Sequence, residues 1–246
     1  MDMGVSGMSS RFSDRVLRLL ERVEHRRANT RTEREAVYRL RHEGDVRQGL
    51  NEPRADGQSD DKALDGAPNA WITTTFIDGE LASTMRVHIG ADETDAIPSL
   101  GPFSDVIMPH LRMGRTIVDP TRLVARLEFA IRFPELPYIA LRPAWLAAEY
   151  FKADFVLATI LRQQRAFYRH ALGYQLWREP RDYQDFSREV ACMGLDFSVA
   201  KERVEARYPF FRSTWAERDA LFGRWAEPRS HLPNLAEGRH RPPPTA

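Results

Sequence analysis

Residues that could do chemistry cluster around a proline in a predicted strand, Thr116 to Ala125, with the sequence TIVDPTRLVA. Proline cannot donate a ladder hydrogen bond, so Pro120 requires an edge, a bulge or a point where two strands part. Parted strands expose backbone N–H groups, and one such donor stabilises an oxyanion by roughly 3 kcal/mol in other enzymes. Asp119 could orient or deprotonate an amine, and Arg122 could bind a carboxylate through two hydrogen bonds. A structural ion pair between Asp119 and Arg122 is the alternative.

A predicted β-hairpin, Trp71 to Ile89, supplies further polar side chains. Asp78 and Gly79 suit the central positions of a type I′ turn, because glycine adopts positive φ without steric cost. Strict alternation in the second arm places Arg86 and His88 on one face and apolar residues on the other. If the apolar face is covered, the opposite face presents an arginine and a histidine, which indicates the wall of a cleft.

Hydrophobic periodicity predicts the elements that must position these residues. Helices are predicted over 12–23, 30–49, 103–113, 138–152, 162–172 and 199–208, and further strands over 24–29, 155–160, 174–177 and 190–197. Thr30 with Glu33, or Thr32 with Glu35, has capping-box spacing at the start of the second helix. The stretch 50–70, rich in aspartate, glycine and proline, is predicted to be a long mobile loop.

The order of these elements predicts one α/β (α+β) domain with a mixed sheet over residues 12–228. We expect a disordered segment, 1–11, before it and a flexible proline-rich tail, 229–246, after it. The start of the chain lacks the features of a secretory signal, and no apolar run reaches the ~18 residues of a membrane span. The sequence therefore predicts a cytoplasmic protein with no integral membrane contact.

The charge of the 246-residue chain is balanced overall, at +1, but unevenly distributed. Between Arg112 and Arg169, ten basic residues face five acidic ones, which would attract an acidic partner; solvated helix faces are the alternative. Basic residues are not interleaved with exposed aromatics, so we predict no nucleic-acid binding. His88 and His110 have no partner at metal-ligand spacing, and the single Cys192 is best explained as a core residue, so no metal site is predicted.

The segment from Arg165 to Gln175, RAFYRHALGYQ, resembles the late helix–glycine–strand element of GNAT acyltransferases. In that family the tyrosine that corresponds to Tyr168 often protonates the departing thiolate. A phenol beside a thioester sulfur can donate a proton as charge develops there. The alternative is that Phe167 and Tyr168 only pack the helix.

A narrower resemblance is carried by the front segment 26–50, RRANTRTEREAVYRLRHEGDVRQGL, together with the hairpin and VDPTRLVA. These are similar to N-acyl amino acid synthases and to their relatives, the acyl-homoserine-lactone autoinducer synthases, over about residues 24–225. The resemblance implies a GNAT-like mixed, mostly antiparallel sheet flanked by helices, with strands splayed at the centre. It also implies catalytic roles for Tyr168 and Asp119 and substrate contacts from Arg86, Arg122, Arg41 and Asp61. From the residues themselves, Trp145 could line an acyl tunnel and contact substrate, and the strand break could hold the donor thioester at Val118, Pro120 and Thr121. A core position is the alternative for Trp145.

Two residues depart from the family pattern. Gly44 stands where relatives tend to have an aromatic residue, and Asp119 stands where autoinducer synthases favour a longer glutamate. The shorter side chain moves the carboxylate by about 1 Å, which matters for a base.

The acyl donor is suggested by missing glycines. GNAT enzymes that use coenzyme A generally have a glycine-rich loop after this strand for the pyrophosphate, yet residues 121–145 contain no glycine. No cofactor is expected to be resident, and the donor would be an acyl-phosphopantetheine thioester, on acyl carrier protein rather than on coenzyme A. The acceptor would be an amino acid or similar small amine. A CoA-dependent acetyltransferase and a non-catalytic acyl- or carrier-binding protein are the alternatives.

Overall fold

The computed structural model describes residues 3–59, 62–183 and 186–223 and forms a seven-stranded sheet over this part of the chain. Its strands are β1 (Val23–Arg27), β2 (Ala70–Ile77), β3 (Glu80–Gly90), β4 (Ile117–Ala125), β5 (Phe155–Ile160), β6 (Gln175–Tyr183) and β7 (Phe186–Asp196). They lie in the order β1-β2-β3-β4-β5-β7-β6, and only the β4–β5 pair is parallel. The predicted mixed, mostly antiparallel sheet is confirmed.

Helices cover both faces of the sheet. The α-helices are α1 (Met3–Leu20), α2 (Arg31–Arg47), α3 (Lys62–Asp65), α4 (Leu100–Arg112), α5 (Leu127–Arg132), α6 (Leu136–Tyr150), α7 (Arg165–Phe167), α8 (Phe197–Arg207) and α9 (Trp215–Phe222). The main core joins α1, α6, α8 and α9 to one face, and smaller clusters join α2 and α4 to the other. Along the described residues, no helix has the length and apolar character needed to cross a bilayer.

Local signals in the sequence are confirmed where they depend on a few neighbouring residues. Asp78 and Gly79 both have positive φ, 53° and 82°, as a type I′ turn requires. Thr30 and Glu33 form the capping box of α2, with the Thr30 side chain accepting from the Glu33 N–H at 3.2 Å. The backbone conformation at these positions is set by sterics and short-range hydrogen bonds.

Several element boundaries differ from those predicted. Helix α1 begins at Met3, so residues 3–11, for which disorder was expected, continue the helix without a proline to interrupt it. The helix α4 begins at Leu100 and is kinked at Phe103, whose backbone angles are not helical. Helices α3 and α5, of four and six residues, were not predicted because they are too short for hydrophobic periodicity. The predicted domain end at 228 and tail 229–246 lie outside the described residues.

Gly44 lets helix α2 approach β4 closely. A Cβ atom built at Gly44 would lie 2.5 Å from Cγ1 of Val124, and Val124 packs with Leu40 in a small core cluster. Valine is stiff at χ1, so its methyl group has little freedom to retreat. The departure from the family pattern at Gly44 therefore has a packing reason: it brings the C-terminal half of α2 against the strand that carries Pro120.

This contact predicts that replacing Gly44 with alanine lowers the stability of the protein, the opposite of the usual effect in a helix. In most helices Gly→Ala adds about 1 kcal/mol of stability, whereas Gly44→Ala should lower the free energy of unfolding by about 1–3 kcal/mol through overpacking. The matched control is Gly101→Ala in α4, where no atom lies within 4 Å of the added methyl group. Urea unfolding of both variants measures the difference. Equal or greater stability of Gly44→Ala would contradict the contact.

Candidate active site

The sheet opens between β4 and β5. These parallel strands pair only at Ile117 with Phe155 and at Val118 with Val156. The other edge of β4 stays paired with β3 as far as Ala125. The predicted parting of two strands at Pro120 is therefore confirmed, and the β4 backbone from Asp119 onward has no β5 partner on that side.

A β-bulge bends β4 at the same place. The strand carries one more residue than β3 between the pairs that flank Met85. Arg122 falls in this bulge and has φ 54°, in the left-handed region that favours glycine. Such a conformation costs a non-glycine residue about 1–3 kcal/mol and persists only where the surrounding structure imposes it. The bulge directs the Arg122 side chain towards α2.

A cavity occupies the gap between the parted strands. Its volume is about 160 Å³, and part of it is open to solvent. Its polar lining residues are Asp45, Gln48, Arg86, Thr121, Arg122, Thr159, Gln164 and Tyr168, and its apolar lining residues are Leu50, Met85, Pro120, Leu123, Val124, Leu141, Ala158, Ile160, Leu161 and Val190. Its apolar lining includes members of the cores on both faces of the sheet, such as Met85 and Val190, so the cavity reaches both faces. Such a mixed lining suits a ligand that is part polar and part apolar.

Arg122 pairs with Asp45 of α2 and not with Asp119. Its guanidinium donates to both carboxylate oxygens, with Nη1–Oδ1 at 3.1 Å and Nη2–Oδ2 at 2.7 Å. Both side chains are at least nine-tenths buried. The ion pair between Asp119 and Arg122 that the sequence left open is therefore wrong, because the bulge turns Arg122 away from its neighbour. The Arg122–Asp45 pair fixes a charged rim on the cavity.

A second buried charge cluster joins α2, α3 and β3. Arg41 donates to Asp65 at 2.7 Å, and Arg86 donates to the other oxygen of Asp65 at 3.4 Å. Arg86 also donates from Nε to the Thr121 hydroxyl at 3.1 Å and reaches the cavity lining. Arg41 does not line the cavity and holds Asp65 instead. Asp61, predicted to contact substrate, lies outside the described residues.

Asp119 is fully buried and faces the start of α4. Its carboxylate accepts from the Ser99 backbone N–H at 2.9 Å and from the Ser99 hydroxyl at 2.8 Å. The Ser99 hydroxyl is 2.6 Å from the Thr159 hydroxyl, which lies in the cavity wall. Burial raises the pKa of Asp119, while the Ser99 hydrogen bonds and Arg86 oppose the shift. Asp119 thus touches the cavity through hydroxyl groups and not directly.

Tyr168 borders the cavity on a turn of unusual pitch. The predicted helix 162–172 consists of a 3₁₀ turn (Arg162–Gln164), α7 and a π turn (Tyr168–Leu172), which ends at Gly173 with φ 88°. The Tyr168 ring packs edge-to-face on Phe167 and Tyr174, at 5.4 and 5.3 Å between centroids.

The phenol of Tyr168 is available to a ligand. No described residue hydrogen-bonds it, and burial raises the pKa of Tyr168 to about 12. It is therefore a neutral proton donor at ordinary pH. The sequence posed helix packing as the alternative to proton donation by Tyr168. The residue packs on its neighbours and also lines the cavity, and its role as an acid stays a prediction.

Two predicted contact residues lie away from the cavity lining. Trp145 is buried against Phe197 and Phe211, and its Nε1 donates to Glu205 at 3.2 Å. Val118 is buried in the main core and forms the last β4 pair with β5. The structure brings together Pro120, Thr121, Arg86, Arg122 and Tyr168 around the cavity and leaves Trp145 in the core, its stated alternative.

Three functional residues, Asp45, Ser99 and Thr159, were not predicted from the sequence. Asp45 lies four residues after Arg41 on α2, so both fall on one helix face. Thr159 is the one polar residue in the strand FVLATI, and a lone hydroxyl in a buried strand is the signal that could have found it. Ser99 stands at the N-cap of α4, but its side chain makes no capping hydrogen bond. Its hydroxyl serves Asp119 and Thr159 instead.

A mostly antiparallel sheet that opens at its one parallel pair, with a cavity at the opening, is the arrangement of GNAT-fold acyltransferases. Comparison with solved structures agrees. FeeM, an N-acyl amino acid synthase from uncultured soil microbes, superposes with a TM-score of 0.64 at 14% identity, over 77% of this chain and 98% of that one. The family described as N-acyl amino acid synthase FeeM matches residues 36–196, so the chain belongs to that family.

Other structures share the fold at similar distance. The CoA-dependent acyl-homoserine lactone synthase BjaI, solved with MTA, has a TM-score of 0.51 at 15% identity, over 77% of this chain and 88% of that one. An uncharacterized protein from Bacillus halodurans has a TM-score of 0.53 at 14% identity, over 77% and 92%. At these identities the likeness shows the fold alone. No curated protein matches the chain.

Proposed function

We propose that this acyltransferase moves a long acyl chain from an acyl carrier protein thioester to the α-amine of an amino acid. The observation that carries the proposal is the cavity in the β4–β5 opening, whose lining combines the charged side chains of Asp45, Arg86 and Arg122 with apolar side chains such as Leu141 and Ile160. An amino acid suits the charged side chains, and a fatty acyl chain suits the apolar ones.

In the proposed reaction the amine attacks the thioester carbonyl beside Pro120. The C–N bond forms and the C–S bond breaks. Tyr168 donates its proton to the departing sulfur and regains one from the attacking nitrogen, which must lose a proton to become the amide. Backbone N–H groups on the unpaired edge of β4 stabilise the oxyanion. Arg86, held by Asp65 and Thr121, attracts the acceptor carboxylate.

The short connection after β4 supports acyl carrier protein as the donor. Helix α5 begins two residues after β4 ends, and the first helical turn is preceded by Arg126 without a side-chain cap. A pyrophosphate is usually cradled by glycine-rich backbone at this position, and here no glycine occurs between 121 and 145. A carrier-protein thioester has one phosphate, so it needs fewer backbone N–H donors from this loop than a pyrophosphate does.

The basic region supports the same donor only in part. Within the described residues, Arg112, Arg115, Arg122, Arg126, Arg142 and Arg165 form ion pairs with carboxylates. Those six therefore offer little net charge to a partner. Arg162 and Arg169 are exposed, and they flank Gln164 and Tyr168 of the cavity lining. We propose that these two arginines receive the acidic carrier.

Acyl-CoA is the second candidate donor, because BjaI, which shares the fold, is a CoA-dependent synthase. Incubation with acyl carrier protein thioesters, acyl-CoA and a mixture of amino acids, followed by mass spectrometry, tests both donors. An N-acyl amino acid from the carrier-protein donor is the expected product. A product from acyl-CoA alone would reassign the donor, and a folded protein that yields no acylated amine would refute the function.

Charge reversal at Arg162 and Arg169 should distinguish an acyl carrier protein donor from a donor that lacks the carrier. Arg162→Glu with Arg169→Glu is expected to raise KM for an acyl carrier protein thioester roughly tenfold, because the acidic carrier then meets like charge. KM for an acyl-pantetheine donor without the carrier should change little. Arg31→Glu is the control, since Arg31 is 93% exposed and lies 14 positions before Asp45 on the same helix. Equal effects on the KM of both donors would argue against carrier docking at Arg162 and Arg169.

A further inference from the structure

We propose that Thr159, Ser99 and Asp119 form a relay that removes a proton from the acceptor amine in the cavity. The inference rests on the proposed acyl transfer and names the path for a step that the transfer needs. The α-amino group of a free amino acid is protonated at neutral pH. It must lose a proton before its nitrogen can attack a carbonyl.

The three side chains connect the cavity to a buried carboxylate. Asp119 and Ser99 are 0% exposed, whereas Thr159 is partly exposed and lines the cavity. The two contacts, Thr159 Oγ1 to Ser99 Oγ at 2.6 Å and Ser99 Oγ to Asp119 Oδ1 at 2.8 Å, are both within hydrogen-bond range. The hydroxyls of Thr159 and Ser99 therefore link Asp119 to a ligand.

The donors and acceptors of the three side chains set the direction of the relay. An ionised Asp119 only accepts hydrogen bonds, so the Ser99 hydroxyl donates to it. The Ser99 oxygen is then free to accept from the Thr159 hydroxyl. A lone pair of Thr159 Oγ1 is left to accept an N–H from the cavity. Both hydroxyl donors in the relay thus point towards Asp119.

The proton transfer balances along this path. An ammonium proton passes to Thr159 Oγ1, the Thr159 proton passes to Ser99 Oγ, and the Ser99 proton passes to Asp119 Oδ1. Ammonium and carboxylate become amine and carboxylic acid, with no change in total charge. After the product leaves, the relay runs in reverse and returns the proton to water in the cavity.

The groups packed around Asp119 leave a clear window for measuring this step. Arg86 and His88 face it from β3, and Cys192 lies near it on β7. Burial lowers the pKa of His88 to about 3 and raises the pKa of Cys192 to about 12. Arg86 stays charged. None of the three changes charge between about pH 6 and pH 10, so a change in rate there reports on Asp119 or on the amine.

The test compares Thr159→Val with Thr159→Ser. At pH 7 the valine variant should lose about 10–100-fold in kcat/KM for acyl transfer, and serine, which keeps the hydroxyl, should recover most of it. The loss should shrink towards pH 10, because the amine is then already deprotonated. Asp119→Asn combined with Thr159→Val should be no slower than the slower single variant, since both break one path. A Thr159→Val rate within twofold of wild type, or a loss that is equal at every pH, would overturn the relay.

A readout without turnover separates the relay from the proposed function. The infrared band of the protonated Asp119 carboxyl, assigned by its absence in Asp119→Asn, gives the titration midpoint of that group. Loss of the Thr159 hydrogen bond weakens donation from Ser99, so the midpoint should rise in Thr159→Val and return in Thr159→Ser. An unchanged midpoint overturns the relay even if wild type is inactive. Inactivity of wild type with every thioester refutes the acyl transfer and leaves this midpoint to decide the relay.

Discussion

Replacing Tyr168 with phenylalanine is expected to lower kcat for acyl transfer by about 10²–10⁴-fold, the range that one general acid contributes. The substitution removes only the hydroxyl, and no described residue hydrogen-bonds that hydroxyl. Packing on Phe167 and Tyr174 should persist, since the ring is kept. Because the pKa of Tyr168 is raised to about 12, the wild-type phenol stays protonated over the working pH range. Single-turnover kinetics at saturating acceptor measure the loss.

Tyr174→Phe is the matched control for Tyr168→Phe. Tyr174 is equally aromatic, is buried beside Tyr168 and does not line the cavity. Its substitution should leave the rate nearly unchanged. The role of Tyr168 as acid would be refuted if both variants kept the wild-type rate with unchanged melting temperatures. It would also be refuted if donors with a more acidic thiol, which need no protonation on leaving, lost as much rate as ordinary ones.

Replacing Asp65 with alanine is expected to lower the free energy of unfolding by about 3–5 kcal/mol. The change leaves the guanidinium groups of Arg41 and Arg86 without the carboxylate that bridges them, and both are essentially unexposed. Removing one member of a buried charge cluster is far more costly than removing a surface ion pair. Urea unfolding at pH 7 with a fixed m-value measures the loss.

The control for Asp65→Ala lies in the same part of the chain. Asp56 pairs with Arg54, and both side chains are about half exposed. Asp56→Ala should therefore leave the unfolding midpoint nearly unchanged. If the two alanine variants were equally stable, the Arg41–Asp65–Arg86 cluster would not hold α3 against β3. Double substitution of Asp65 and Arg41 should be less harmful than Asp65→Ala plus Arg41→Ala taken separately, because the pair is removed together.

The same cluster links stability to the candidate site. Arg86 reaches the cavity, but Asp65 and Thr121 set the direction of its guanidinium. Asp65 comes from the stretch 50–70, which the sequence analysis treated as a mobile loop. Its acidic residues were noted there, and one of them is a fully buried partner of two arginines. A loop residue of this kind is invisible to periodicity and becomes evident only when its partners are placed.

The sequence by itself determined the features that depend on neighbouring residues. The type I′ turn at Asp78 and Gly79, the capping box at Thr30 and the strand break at Pro120 follow from backbone sterics and missing donors. The motif at Tyr168 and the alternation that placed Arg86 on one face of β3 are of the same kind. Such features need no knowledge of what lies far along the chain.

Only the tertiary structure decided which groups meet. Arg122 pairs with Asp45, 77 residues away in sequence. Ser99 hydrogen-bonds Asp119 and also contacts Thr159, which lies 60 residues after Ser99. A bulge of one residue in β4 and the close approach of α2 at Gly44 bring Arg122 to Asp45. Charged and hydroxyl groups can pair with many partners of suitable geometry. The packing of helices on the sheet decides which partners meet. That packing depends on residues far apart in the sequence, so a local pattern cannot reveal it.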